Sequence, residues 1–337
     1  MELNINNSTI VNSNISGKAD IQNCEISDSQ VTIRPRESNV QQGNPNHTWD
    51  NRKSINTETS LNIEIMTFPD SQPHVRLSGI ERNEFVDVFH SIRSSDDMIV
   101  LMMISNALQQ MNCAKATLHI SYLMGARYDR LMVEGDSIDF EVISRMINQC
   151  GFSQVKVLDL HNPIAGYKWL DRYVDVNNDL LVENFVNYVT KSSQNEIHID
   201  PIEVMIIPDT GAVDKSMNTR DKFFRGCLVV MCKKSRDLTT GHITLQVINP
   251  EICEGRSVVI VDDLCDGGGT FLAIRDQINP RQATLIVTHG IFSKGISKLE
   301  EKFDCIVTTN SFRDNSKLSK KIFQVDANII LKTTKGQ

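Results

Sequence analysis

No apolar run in this chain approaches the length of a membrane span, and the N-terminus has neither the basic segment nor the apolar core of a secretory signal. Ordered cysteine is also missing. Eight cysteines are scattered through 337 residues without a C-x-x-C pair or a Cys/His ligand spacing. That argues against structural zinc and a disulfide framework, and leaves reduced thiols in a cytoplasmic protein as the expectation. Positive charge is in short supply: 35 Lys and Arg face 42 Asp and Glu, a formal charge of −7. Binding to a nucleic-acid backbone needs clustered cations, so neither nucleic acid nor membrane is an expected partner. A small phosphorylated ligand needs only a few local donors and is not excluded.

What is present is a composition 40% hydrophobic and 23% charged, that of a globular protein, with a length that favours two domains. Residues 1–33 stand apart. Ile5, Ile10 and Ile15 recur every five residues, and after one extra residue Ile21, Ile26 and Val31 continue the spacing. Five is neither the helix nor the strand period. It resembles a pentapeptide repeat, a square β-solenoid too short here to bury its own core, so it reads either as an oligomerisation element or as a polar tail with chance spacing. Residues 34–58 are rich in Asn, Gln, Ser and charge, and read as a linker.

From residue 59 strand and helix patterns alternate. "LNIEIMTF", "HVRLSGI", "DMIVLMMI", "ATLHISYL" and "VKVLDL" read as strands, with a helix end at "NALQQMNC" and an amphipathic helix in "SIDFEVISRMINQCG". Beyond a helix near 178–191, strands are expected at "EVMIIP", within "FRGCLVVMCKK", and at "HITLQVI", "SVVIVDD", "ATLIVTHG" and "CIVTT". Helices are expected at 270–278 and near 295–302. Such alternation implies α/β architecture with parallel sheets, whose ligands bind beyond the carboxyl ends of the strands. "LDLH", "IPDTG", "VDD" and "THG" all fall at those ends.

The most informative stretch is "VVIVDDLCDGGGT", residues 258–270. Asp262 and Asp263 can accept hydrogen bonds from a vicinal diol, with Asp266 following. Gly267, Gly268 and Gly269 let backbone N–H groups approach an anion, and Thr270 adds a hydroxyl at a helix start. Carboxylates repel phosphate, so the combination makes sense for a ligand with both hydroxyls and a phosphate. A ribose 5-phosphate satisfies both halves.

This stretch resembles the phosphoribosyl-pyrophosphate loop of type I phosphoribosyltransferases and of ribose-phosphate pyrophosphokinases. "YLMGARYDR" (122–130) and "VLDLHNP" (157–163) are similar to the ATP-site and metal-site segments of the pyrophosphokinases. "TFPDSQ" (67–72), "IPDTGAV" (207–213), "CKK" (232–234) and "THGIFSKG" (288–295) follow that family's order. The resemblance implies two tandem type I phosphoribosyltransferase-like parallel-sheet domains after the repeat-like β segment: an ATP-side domain at 59–192 and a ribose-phosphate domain at 193–337. It implies transfer of the β,γ-diphosphate of ATP to the anomeric hydroxyl of ribose 5-phosphate, with Mg²⁺ as cofactor. The implied roles are Asp159, His161 and Asp209 for the metal, with His161 also catalytic. Lys233 and Arg236 serve the transferring group, and Phe68, Asp70, Arg127 and Tyr128 serve ATP.

The departures matter as much. Tyr128 stands where the family has Gln, Gln72 where its adenine turn ends in an acid, and Lys234-Ser235-Arg236 where Arg-Arg-Pro follows the loop lysine. The closing amphipathic helix of the family is not expected in "ANIILKTTKGQ", so a homo-oligomer of another kind is expected, with the N-terminal repeat as one source. Gly267 replaces the usual Thr, which opens space for a larger 5-substituent and makes ADP-ribose an alternative acceptor. A catalytically weak regulatory subunit is a further alternative, and a phosphoribosyltransferase is disfavoured by the N-terminal half.

Overall fold

The structure, a computed structural model, describes residues 32–35, 62–80, 82, 84–191, 197–236 and 243–333. The five-residue repeat up to Val31 and nearly all of the linker lie outside the described residues. The chain divides into two compact units, residues 1–156 with 164–174, and residues 157–163 with 175–337. No helix among the described residues is long and apolar enough to cross a membrane.

In the first unit, β2 (Asn62–Thr67) and β3 (Pro73–Ser78) form an antiparallel ribbon. The five-stranded sheet has the order β1-β4-β5-β6-β7: β1 (Thr32–Pro35), β4 (Phe85–Ile92), β5 (Lys115–Leu123), β6 (Gln154–Leu158) and β7 (Tyr173–Val176). Strand β4 runs parallel to β5 and antiparallel to β1. Helices α1 (Ser95–Gln110), α2 (Asp139–Gln149) and α3 (Pro163–Trp169) complete the run up to residue 174, and α1 packs on β3 and β4.

One expectation is corrected here. "DMIVLMMI" is not a strand but the first half of α1. Ser94 caps the helix by accepting from the Asp97 N–H, while Asp97 accepts from the Ser94 N–H, a reciprocal capping box. Met98, Leu101, Ile104 and Leu108 then recur at three- and four-residue intervals on the buried side. The strand of this region is β4, just upstream.

The second unit is built on a seven-stranded sheet of order β10-β9-β8-β11-β12-β13-β14. These are β8 (Val204–Ile207), β9 (Leu228–Arg236), β10 (Ile243–Val247), β11 (Ser257–Cys265), β12 (Gln282–Gly290), β13 (Cys305–Thr309) and β14 (Ile322–Val325). All neighbours are parallel except β9 and β10. A sheet covered on both faces needs apolar residues at consecutive positions, and Val258, Val259, Ile260 and Val261 are all fully buried. Val258 and Ile260 share a cluster with Phe271 of α6 (Gly269–Arg275) and Leu299 of α7 (Ser297–Lys302).

Helix α4 (Asp179–Lys191) packs on α5 (Val213–Phe223), β13 and β14, with the Phe185 and Phe323 rings 5.9 Å apart. Residues 175–191, expected with the first domain, group with the second unit. The C-terminal stretch, expected to lack a helix, forms the short α8 (Ala327–Thr333), whose start is held by Asp326 Oδ1 accepting from the Asn328 N–H at 2.9 Å.

Candidate active site

Strands β8 and β11 run parallel with Val204 opposite Val258 and Ile206 opposite Ile260. Their carboxyl ends, carrying Asp209 and Asp262–Asp263, thus emerge at one level of the sheet. Strand β12 ends beside them with Leu264 opposite His289. The acid pair is joined there by residues far away in sequence. His161 Nδ1 lies 2.7 Å from Asp263 Oδ2, across 102 residues. A carboxylate only accepts, so Nδ1 carries the proton in this contact.

Two residues before His161, Asp159 has φ +46°, a left-handed conformation uncommon for a residue with a side chain. Four bonds hold it. Its N–H donates to the Val176 carbonyl at 2.6 Å, and its own carbonyl accepts from His289 Nε2 at 3.3 Å. Lys215 Nζ donates to both carboxylate oxygens, at 2.8 and 2.6 Å, and the Thr288 hydroxyl donates to Oδ2. His289 in turn has Nδ1 2.8 Å from the Ser311 hydroxyl.

Lys215, on the first turns of α5, is the residue that sequence reasoning missed. Nothing in its local pattern marks it. The one available signal was its place six residues after Asp209, on the helix that follows a strand end. Burial alone would lower its pKa, but Asp159, Asp263 and Asp262 outweigh burial and raise it, so the ammonium is charged at neutral pH. The acids respond in opposite directions. Burial and then the Asp263 charge push Asp262 well above the usual carboxylate range. Burial acts the same way on Asp263, yet the His161 hydrogen bond and the Lys215 charge overcome it and hold Asp263 below that range. The site therefore carries one firmly ionised and one reluctant carboxylate side by side.

The glycine turn follows at once. Gly268 has φ +76°, a conformation that favours glycine, and a Cβ there would press on Leu299 Cδ2 at 3.1 Å. At Gly267 the extra room expected from the missing side chain is already taken. A Cβ would meet Cδ, Cε and Cγ of Lys294 at 3.1, 3.3 and 3.4 Å. Asp266 and Gly269 are exposed and Thr270 is half-buried. The turn is tied to the segment after β12 by the Phe292 N–H to the Cys265 carbonyl and the Ser293 N–H to the Asp266 carbonyl, both 3.1 Å.

Asp209 uses Oδ1 to accept from the Gly211 and Ala212 N–H groups at 2.9 and 3.2 Å. Lys233 is exposed on β9, opposite Gln246, and Arg236 ends that strand opposite Ile243. Lys233 therefore stands on a strand of the β9–β10 ribbon. In the first unit, Phe68 begins the turn between β2 and β3, 45% exposed and tilted against His74, and Asp70 Oδ1 accepts from the Gln72 N–H at 3.1 Å. Arg127 and Tyr128 lie on the exposed turn after β5, set by Gly125 at φ +76°.

Among the described residues no three His, Cys, Asp or Glu side chains form a cluster able to hold an ion unaided. This donor chemistry suits magnesium, which takes one or two carboxylates and completes its shell with water and substrate oxygens. Asp209 fits that demand. Asp159 does not fit it in this arrangement, because both its oxygens are engaged by Lys215 and one also by Thr288.

Comparison with known proteins gives the same fold and a set of similar proteins. The family model for the phosphoribosyl transferase domain matches residues 202–321. The crystal structure of phosphoribosylpyrophosphate synthetase from Mycobacterium smegmatis superposes with a TM-score of 0.67 at 17% identity, over 81% of this chain and 89% of that one. Ribose-phosphate pyrophosphokinase from Pyrococcus abyssi is 26% identical over 258 residues, 74% of this chain and 84% of that protein. The Agrobacterium fabrum enzyme of the same name is 26% identical over 265 residues, 75% and 80%. The second unit thus carries a phosphoribosyl transferase domain. The chain as a whole is similar to ribose-phosphate pyrophosphokinases over about three quarters of its length.

Proposed function

We propose that this protein transfers the β,γ-diphosphoryl group of ATP to the anomeric hydroxyl of ribose 5-phosphate, giving phosphoribosyl pyrophosphate and AMP. The sugar oxygen bonds to the β-phosphorus, the bridging bond from the β-phosphorus to the α-phosphate oxygen breaks, and the hydroxyl proton is released. The observation that carries this reading is the β11 acid pair and glycine turn, with His161 bonded to Asp263 and the charge of Lys215, itself bonded to Asp159, acting on both acids.

Asp262 and Asp263 accept from the sugar 2- and 3-hydroxyls, and the backbone of 267–269 with the Thr270 hydroxyl receives the 5-phosphate. Lys233, aided by Arg236, sets positive charge against the transferring group, where such transfer gains most from positioning and neutralisation. Phe68, Asp70, Arg127 and Tyr128 keep the nucleotide role that their sequence positions imply. Asp209 and His161 would hold Mg²⁺, which when bound neutralises phosphate charge. Asp159 instead acts as a positioning residue, clamped by Lys215 and setting the turn that presents His161.

The ADP-ribose alternative loses its structural motive, since the Lys294 stem fills the space beside Gly267. The deciding experiment is AMP release from Mg-ATP with each acceptor. Release with ribose 5-phosphate supports the proposal, and release with ADP-ribose alone replaces the acceptor. No release with either would leave a regulatory subunit as the better reading.

A further inference from the structure

On the reading that the glycine turn holds the sugar phosphate, we propose that Lys294 supplies that phosphate with a cationic contact, in the volume a side chain at residue 267 would otherwise fill. The three stem carbons Cγ, Cδ and Cε all lie 3.1–3.4 Å from the position of a Cβ on Gly267. The lysine stem therefore runs across the face of the turn, while the residue as a whole stays exposed.

Its base is fixed on both sides. Phe292 is buried, and its N–H donates to the Cys265 carbonyl at 3.1 Å. The Ser293 N–H donates to the Asp266 carbonyl, and the Gly295 N–H closes a turn onto the Phe292 carbonyl at 2.9 Å. Lys294 is exposed, and among the described residues its ammonium has no hydrogen bond or ion pair. The turn contributes only neutral donors, its amides and the Thr270 hydroxyl. An ammonium added to these converts a neutral cradle into one that favours a phosphate over an uncharged sugar terminus, by a charge-assisted hydrogen bond. Gly267 and Lys294 then act as a pair: the absent Cβ at one position is the condition for the placement of the other.

The test is calorimetric titration of the full chain with ribose 5-phosphate and with ADP-ribose, in the absence of ATP, so that binding is read apart from turnover. Lys294→Met should weaken binding of whichever sugar the wild type takes by about tenfold or more, the worth of a hydrogen bond to a charged group. Lys294→Arg should keep most of the affinity. Gly267→Ala should weaken binding in the wild type by displacing the stem, yet add little in the Lys294→Met background, because the two changes remove one interaction. An unchanged melting temperature in Lys294→Met would separate lost contact from lost fold. A Lys294→Met affinity within about twofold of the wild type would overturn the inference and leave the sugar-binding reading intact. A wild type that binds neither sugar would overturn both.

Discussion

At the scale of single residues, the site is a balance of charges that only its geometry explains. Lys215 donates to Asp159 and stands near Asp262 and Asp263, and removal of one partner from a buried ion pair costs about 3–5 kcal/mol. The cost here is smaller, because 27% of the Lys215 side chain remains open to water. Lys215→Met should lower the melting temperature and cut AMP release steeply, while Lys215→Arg should restore much of both by keeping the charge on Asp159. Equal loss in both variants, read by thermal unfolding and by AMP release, would argue against the clamp. Lys233 is exposed, so Lys233→Ala should leave the melting temperature unchanged while turnover falls by about two orders of magnitude or more.

Asp262 offers the opposite trade. Its pKa in the folded protein is raised by burial and by Asp263, so its ionisation opposes folding. The sign is that of a group stabilising below its unfolded pKa: the folded state loses stability as pH rises from the ordinary carboxylate range through the raised value. Asp262→Asn should therefore melt higher than the wild type at neutral pH, and the gain should vanish near pH 3, where both states are protonated in the wild type. The same variant should bind ribose 5-phosphate less well.

At the scale of elements, two strand ends decide what can be placed at the site. Strand β12 ends at Gly290, where a Cβ would lie 2.5 Å from Phe292 Cε2 and 2.7 Å from Thr308 Oγ1. Gly290→Ala must push apart β12, β13 and the segment that anchors Lys294. Urea unfolding should show a loss of about 1–3 kcal/mol, the usual cost of overpacking.

Elements also show where local pattern misleads. The run "DMIVLMMI" has the short, apolar and β-branched look of a buried strand, and periodicity alone does not separate that from a buried helix. The helix signal is Ser94, three residues upstream, together with Asp97, the first residue of the run, whose mutual bonds start α1. In strand β4 the polar Asp87, His90 and Ser91 break up the apolar pattern, yet His90 and Ser91 are buried in the fold. By contrast β8, β11 and β12 are legible, since strands buried on both faces carry apolar residues at successive positions.

At the scale of the whole molecule, the cysteines report on the packing. Burial pushes the thiols of Cys232, Cys265 and Cys305 up to about 12. Cys113 is only partly buried. A thiol reagent at neutral pH should therefore modify Cys113 well before these three, which should react only as the second unit unfolds. Peptide mapping of modified protein, with and without denaturant, checks the order.

The sequence by itself determined the alternation of strands and helices, the acid pair with its glycine turn, and the resemblance to ribose-phosphate pyrophosphokinases. These are encoded in contiguous residues, where periodicity, backbone freedom and residue chemistry act over a few positions. Only the tertiary structure decided that Asp159 is clamped by Lys215, that His161 rests on Asp263, and that Lys294 fills the space at Gly267. Each depends on groups brought together from distant positions by sheet pairing and helix packing, and no local pattern carries that information.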